Sequence, residues 1–292
     1  MQKRYNVPQN IDCFVINFIR PSLVEERVNI VLGSFYIPKD NKSNPKGDDA
    51  HFICGQKQTI GIADGVGGWT RQGVNAGEYA RELMLNSVIA LDAEPNGAVI
   101  PSRVLSEAYS KTKLPGSSTA CLLSLNGNIL CAAILGDSGF MVVRDGNVVY
   151  KSPVQQHSFN YPYQLGPLSS DLPSSAIEIE LKMMAGDVIV AGTDGLFDNM
   201  HLEEISAEVS QGISRGSDPQ DLAWTIAENA LYNSFDRFAV TPFARASREN
   251  GGSHSGGKRD DITVLYYRES TDQYSILIGS DNSSSPQDYK TS

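Results

Sequence analysis

Residues 118–150 read STACLLSLNGNILCAAILGDSGFMVVRDGNVVY. Two apolar, β-prone runs, 118–125 and 128–135, flank Asn126-Gly127, and two more, 140–144 and 147–150, flank Asp145-Gly146. Such pairs tolerate positive φ, so each predicts a tight hairpin and antiparallel pairing. Working outward, residues 28–37 read as a strand. Residues 51–54 and 58–63 read as two more, joined at Gly55-Gln56-Lys57. Later strands are expected at 177–181, 187–191 and 262–267, and residues 39–47, polar and broken by Pro45, form a loop.

Helical periodicity appears in grouped segments. Asn75 caps a helix to Leu91, with Glu78 completing a capping box and Tyr79, Ala80, Leu83, Ser87 and Leu91 on one face. Residues 101–113 form a second helix; 201–214 and 218–232 form another pair. Paired helices need a sheet face to cover. The expected class is therefore α+β: a four-layer α-β-β-α sandwich, two antiparallel sheets packed together and flanked by helix pairs.

The chain has 292 residues, 40% of them hydrophobic and 20% charged, enough for a sizeable soluble core. A net charge of −10 argues against nucleic acid or an anionic membrane surface as partner. No apolar run reaches the roughly 20 residues that span a bilayer. Cys13, Cys54, Cys121 and Cys131 are isolated and read as free thiols in a reducing compartment. His51, His157, His201 and His254 do not cluster, so zinc is not expected.

Four aspartates stand at strand ends: Asp49 in Gly-Asp-Asp-Ala-His (47–51), Asp64 in Ala-Asp-Gly-Val-Gly-Gly-Trp (63–69), Asp194 in Gly-Thr-Asp-Gly-Leu-Phe-Asp-Asn (192–199) and Asp260 in Arg-Asp-Asp-Ile-Thr-Val-Leu (259–265). A fold that gathers them creates like-charge repulsion that cations must neutralise. Oxygen ligands without thiolate or imidazole select magnesium, manganese or calcium. Two such ions sharing a carboxylate suit hydrolysis of a phosphate ester. Gly65 lets a carbonyl approach an ion, and Gly192 and Gly195 relax the turns around Asp194. Asp145-Gly146 reads as a turn only.

These segments, with Gly-Ser-Ser-Thr-Ala (116–120) and Gly-Asp-Ser-Gly (136–139), resemble in content and order the metal-dependent type 2C (PPM) protein serine/threonine phosphatases, over about residues 28–268. The Gly-Gly-Trp continuation and Thr241-Pro242-Phe243-Ala244 are similar to the organellar-type branch. The resemblance implies hydrolysis of phosphoserine and phosphothreonine in phosphoprotein substrates by a water bridging two Mg2+ or Mn2+ ions, without a covalent intermediate. It makes Asp64 the bridging ligand, with Gly65 offering its carbonyl. Asp194 and Asp260 would hold one ion, and Asp49 would act through water. Asp198 matches a weaker additional metal position.

Two positions depart from the family pattern. Val66 replaces a histidine proposed as general acid, leaving that step to metal-held water or lowering turnover. Asn44 replaces an arginine, making Lys46 and Arg71 the phosphate-binding candidates. Both departures recur in the organellar-type branch. His51 reads as structural, and Trp69 and Tyr79 as packing. The rival reading is a weak or inactive phosphoprotein-binding pseudophosphatase or scaffold; four retained acids argue against it.

Residues 1–27 form an extension whose targeting role stays open, 28–268 the catalytic domain and 269–292 a polar tail. A monomer without membrane or nucleic-acid partner is expected. Its setting is intracellular, in a mitochondrion or chloroplast by resemblance, with cytoplasm or nucleus the alternative. Residues 247–258, rich in glycine and serine, read as a mobile loop overhanging the acids.

Overall fold

The computed structural model describes residues 29–42 and 44–270. The extension at 1–27, its Cys13, and all of the tail beyond residue 270 lie outside the described residues. The chain starts with strands β1 (Asn29–Ile37), β2 (Asp49–Cys54) and β3 (Thr59–Asp64), then helices α1 (Ala76–Leu91) and α2 (Pro101–Lys111). Strands β4 (Ala120–Asn126), β5 (Ile129–Leu135), β6 (Gly139–Arg144) and β7 (Asn147–Lys151) follow. A small hairpin, β8 (Gln156–Ser158) and β9 (Tyr161–Pro162), precedes β10 (Ile177–Lys182) and β11 (Val188–Gly192). The last elements are α3 (Asp194–Phe197), α4 (Leu202–Arg215), α5 (Pro219–Phe235), α6 (Pro242–Glu249) and β12 (Ile262–Ser270).

Two five-stranded antiparallel sheets result, ordered β1-β12-β11-β6-β7 and β10-β5-β4-β3-β2. Strand alternation divides the core. Ala50, Phe52, Ala63 and Leu122 face α1 and α2, packing with Leu83, Leu91 and Leu105. Ile60, Ile62, Leu123 and Ile134 point the other way, against Phe140, Ile189 and Leu265 of the opposite sheet. The far face of that second sheet offers Met141, Val190 and Val264 to Ile205, Val209 and Ile226 of α4 and α5. Three apolar interfaces separate four layers, the α-β-β-α sandwich expected from the hairpins and helix pairs.

The hairpin turns show why the strands pair as they do. Asp145 and Gly146 have φ of 49° and 76°, so both central residues take the positive φ that a type I′ turn requires. In the earlier hairpin Asn126 pairs with Ile129, which places the turn on Gly127-Asn128, one residue later than expected. Gly127, at φ 62°, meets the positive-φ requirement.

Several details differ from the sequence reading. Asn75 caps α1 through the Gly77 amide (3.0 Å), but no capping box forms: the Glu78 carboxylate turns to Arg81 instead (3.0 Å). The box appears at α4, between His201 and Glu204. Residues 242–249 are helical, because Thr241 caps the turn through the Ala244 amide and Pro242 is at the first helical position. The segment expected to be a mobile loop is tied down. The Thr241 hydroxyl donates to the Gly256 carbonyl (2.8 Å), and the Gly257 amide donates to the Asp236 carbonyl (2.9 Å).

Candidate metal centre

Asp49 and Asp64 are register partners in the β2–β3 ladder. Their side chains therefore project to the same face, the one that also carries Ile62 and packs against the second sheet. Across the sandwich, β11 ends at Gly192 and β12 begins at Ile262, so Thr193, Asp194, Asp260 and Thr263 arrive at the same end of the molecule. Asp198 follows the single turn of α3, and Asp137 lies in the short link between β5 and β6.

Asp49 is buried, and its Oδ2 accepts from the hydroxyls of Thr193 (2.8 Å) and Thr263 (2.7 Å). Its Oδ1 is buried without a partner, as are Oδ1 of Asp194 and Oδ1 of Asp137. Burial, and then the charges of neighbouring acids, push the Asp49 and Asp64 carboxyls well above the usual carboxylate range. The same causes push Asp137 and Asp198 up to about 7. Burial also raises Asp194. There, however, the Lys258 ammonium and a hydrogen bond with Asp64 prevail and hold it below the usual range.

Lys258 is the residue that the sequence reading did not assign. Its ammonium contacts Asp194 Oδ2, Asp198 Oδ2 (2.8 Å) and Asp260 Oδ2 (3.3 Å). Burial alone would lower its pKa; the three carboxylates raise it well above the usual lysine value. Asp137 was also missed as a site residue, although Gly-Asp-Ser-Gly was visible in the sequence. Asp261, next to Asp260, is held by other donors, and its charge helps raise Asp49. Asp261 Oδ1 accepts from the Tyr36 hydroxyl (2.9 Å) and the Lys39 amide (2.8 Å), and its Oδ2 from the Asp48 amide (3.1 Å).

Among the described residues, no three His, Cys, Asp or Glu side chains already enclose one ion position. The donors nevertheless fit hard divalent cations. Three buried carboxylate oxygens lack partners, the set is all oxygen, and a positive charge has been drawn in among the acids. Backbone carbonyls and water would complete the oxygen set around such an ion. Gly65 is required by close packing beside Asp64: a Cβ there would meet the Asp48 carbonyl at 2.7 Å and Ala76 at 2.8 Å.

Lys46 and Arg71 are both exposed, and neither side chain is paired with one of the cluster's carboxylates. Asn44, standing where the family pattern has arginine, donates to Asp48 Oδ1 (2.8 Å) and accepts from Asn75 (3.2 Å), tying the loop to α1. Burial lowers His51 to about 4, so it is neutral near pH 7. Trp69 donates through Nε1 to Ser117 (2.6 Å), and Tyr79 is buried in the core between helices and sheet.

No protein-family model matches the chain. It is 48% identical over 248 residues to probable protein phosphatase 2C 55 of Arabidopsis thaliana, covering 85% of this chain and 53% of that protein. It thus spans about half the length of that relative. It is 38% identical over 275 residues to putative protein phosphatase 2C 23 of Oryza sativa subsp. japonica, covering 87% of this chain and 82% of the relative. Among solved structures, that of the photosystem II phosphatase PBCP is similar, with 32% identity and a TM-score of 0.76 over 82% of this chain and 98% of that one. The catalytic domain of the serine threonine protein phosphatase PstP, in complex with two manganese ions, shares the fold at 18% identity and a TM-score of 0.57, with 82% and 97% covered.

Proposed function

The chain belongs to the protein phosphatase 2C family, and from that premise we propose that it hydrolyses phosphoserine and phosphothreonine in phosphoprotein substrates, using two Mg2+ or Mn2+ ions. The observation that carries this reading is the gathering of Asp49, Asp64, Asp194 and Asp260 at one end of the sandwich, with buried carboxylate oxygens still open to a cation. Asp64 and Asp194, whose carboxyls touch, together with Asp260 and the Gly65 carbonyl, are the proposed ligands. Asp49, fixed by two threonine hydroxyls, would orient water beside them. When bound, the two ions supply the positive charge that acidifies water and stabilises the charge of the phosphoryl group.

The chain's own side chains favour attack by solvent. Thr193 and Thr263 are fully buried, and each donates its hydroxyl proton to Asp49, so neither is free to act as a nucleophile. Burial pushes the Cys121 thiol up to about 12, which leaves it unreactive near neutral pH. Val66 offers no proton at the position where the family pattern has histidine.

The test is turnover of p-nitrophenyl phosphate and a phosphothreonine peptide with Mn2+, before and after chelation, compared with Asp64→Asn. Solvent oxygen-18 should enter phosphate within a single turnover. Phosphopeptide binding without hydrolysis would instead establish a scaffold. An organellar setting is supported by the similarity to a photosystem II phosphatase; organelle fractionation with an antibody to this protein checks it.

A further inference from the structure

Lys258 reaches the acid cluster from a backbone that is held on both sides. Its amide donates to Asn199 Oδ1 (2.9 Å), and Asn199 Nδ2 donates back to its carbonyl (2.8 Å). Asn199 Nδ2 also donates to the Gly195 carbonyl (2.9 Å), so the clamp is built on the turn that carries Asp194. The Lys258 stem runs past Phe243, with Nζ 5.1 Å from the ring centroid, and only 14% of the side chain is exposed. An ammonium has three N–H donors, and Asp194, Asp198 and Asp260 supply one oxygen each. Donors and acceptors therefore match in number, in a place where an unpaired charge would be costly.

We propose that Lys258 is a built-in cation that fills the corner beside Asp198, on the Oδ2 side of Asp194 and Asp260, excludes a further divalent ion from that corner, and keeps these carboxylates assembled before metal is loaded. The inference rests on the proposed metal reading and gives Asp198 a different part in it. Rather than holding an extra ion, Asp198 anchors the lysine. Lys39 is a natural contrast: its side chain is 45% exposed and its ammonium pairs with Asp260 Oδ1 at 3.5 Å, so solvent screens it and it closes no corner.

Calorimetric titration with Mn2+ tests this on the full chain. Lys258→Met keeps the stem against Phe243 and removes the charge. It is expected to bind one more Mn2+ per chain than the wild type, and to lose that ion again when Asp198→Asn is added. Lys39→Met should leave the stoichiometry unchanged. The metal-free Lys258→Met protein should melt at least about 3 °C below the wild type and recover with Mn2+. Should Lys258→Met fail to fold, Asp198→Asn alone decides: wild-type stoichiometry supports the proposal, and loss of an ion overturns it. Equal stoichiometry with and without Lys258 overturns it too, as does an extra ion that survives Asp198→Asn. If no form hydrolyses phosphate yet Lys258→Met still gains its ion, the phosphatase reading fails and this one stands. If the wild type turns over and the variant gains nothing, the reverse holds.

Discussion

Asp49 and Asp64 face each other directly across the β2–β3 ladder, two acids on opposed positions of neighbouring strands. Like charges so placed destabilise a sheet. The arrangement persists because each acid has a separate means of support. Asp49 accepts two threonine hydroxyls, while Asp64 shares a hydrogen bond with Asp194, whose own charge faces the Lys258 ammonium. The site is thus a chain of compensations, and each link can be broken separately.

Asp194→Ala and Asp260→Ala should each reduce kcat by about two to three orders of magnitude, because each removes a proposed ligand rather than core volume. Far-UV circular dichroism should match the wild type. Turnover within about threefold of the wild type for either variant would refute the ligand assignment.

Thr263→Val keeps the shape of a buried side chain and deletes one of the two hydroxyls that hold Asp49. Leaving that carboxylate short of a donor should cost about 1–3 kcal/mol in urea denaturation. Thr263→Ser, which restores the donor, should recover part of the loss.

Asp137 sets a pH dependence in the metal-free protein. Its carboxyl is raised from 3.8 to about 7, chiefly by burial, so the folded state holds a proton that the unfolded state releases. A raised carboxyl favours the fold at low pH, and that advantage is lost as pH climbs from about 4 to about 7. Asp137→Asn should therefore match the wild type near pH 4 and exceed it above pH 7 by about 2–4 kcal/mol. Thermal melts in chelator across this range give the answer, and parallel curves would contradict it.

Gly195 lies where the β11–α3 turn passes under Asp261: a Cβ there would meet the Asp261 carbonyl at 1.9 Å, a backbone atom that cannot swing aside. Gly195→Ala should cost about 1–3 kcal/mol or more as the turn is forced open. Mn2+ affinity should fall with it, since Asp194 and Asp260 are immediate chain neighbours of the two residues that clash. Unchanged affinity would show that the turn does not position the ligands.

Much of the fold was legible because its signals are local. Asp145-Gly146 marked a turn whose positive φ values only a few residue types accept, and the apolar, β-prone runs beside it marked the strands. The β8–β9 hairpin and α6 escaped notice because both are short: three and two residues in the strands and eight in the helix. The glycine-rich run before Asp260 looked mobile. Its order comes from partners such as Asn199 and Asp236, about 59 and 21 positions away, which no local pattern reveals.

The sequence by itself determined the long strands, the Asp145-Gly146 turn and four of the clustered acids, because backbone preference and turn chemistry act over a few residues. Tertiary structure alone decided the electrostatic arrangement: which acid accepts hydroxyls, which touches its neighbour, and that Lys258 lies among the carboxylates. Charge interactions depend on distance through space and on exclusion of water, and both arise only when the two sheets close on one another.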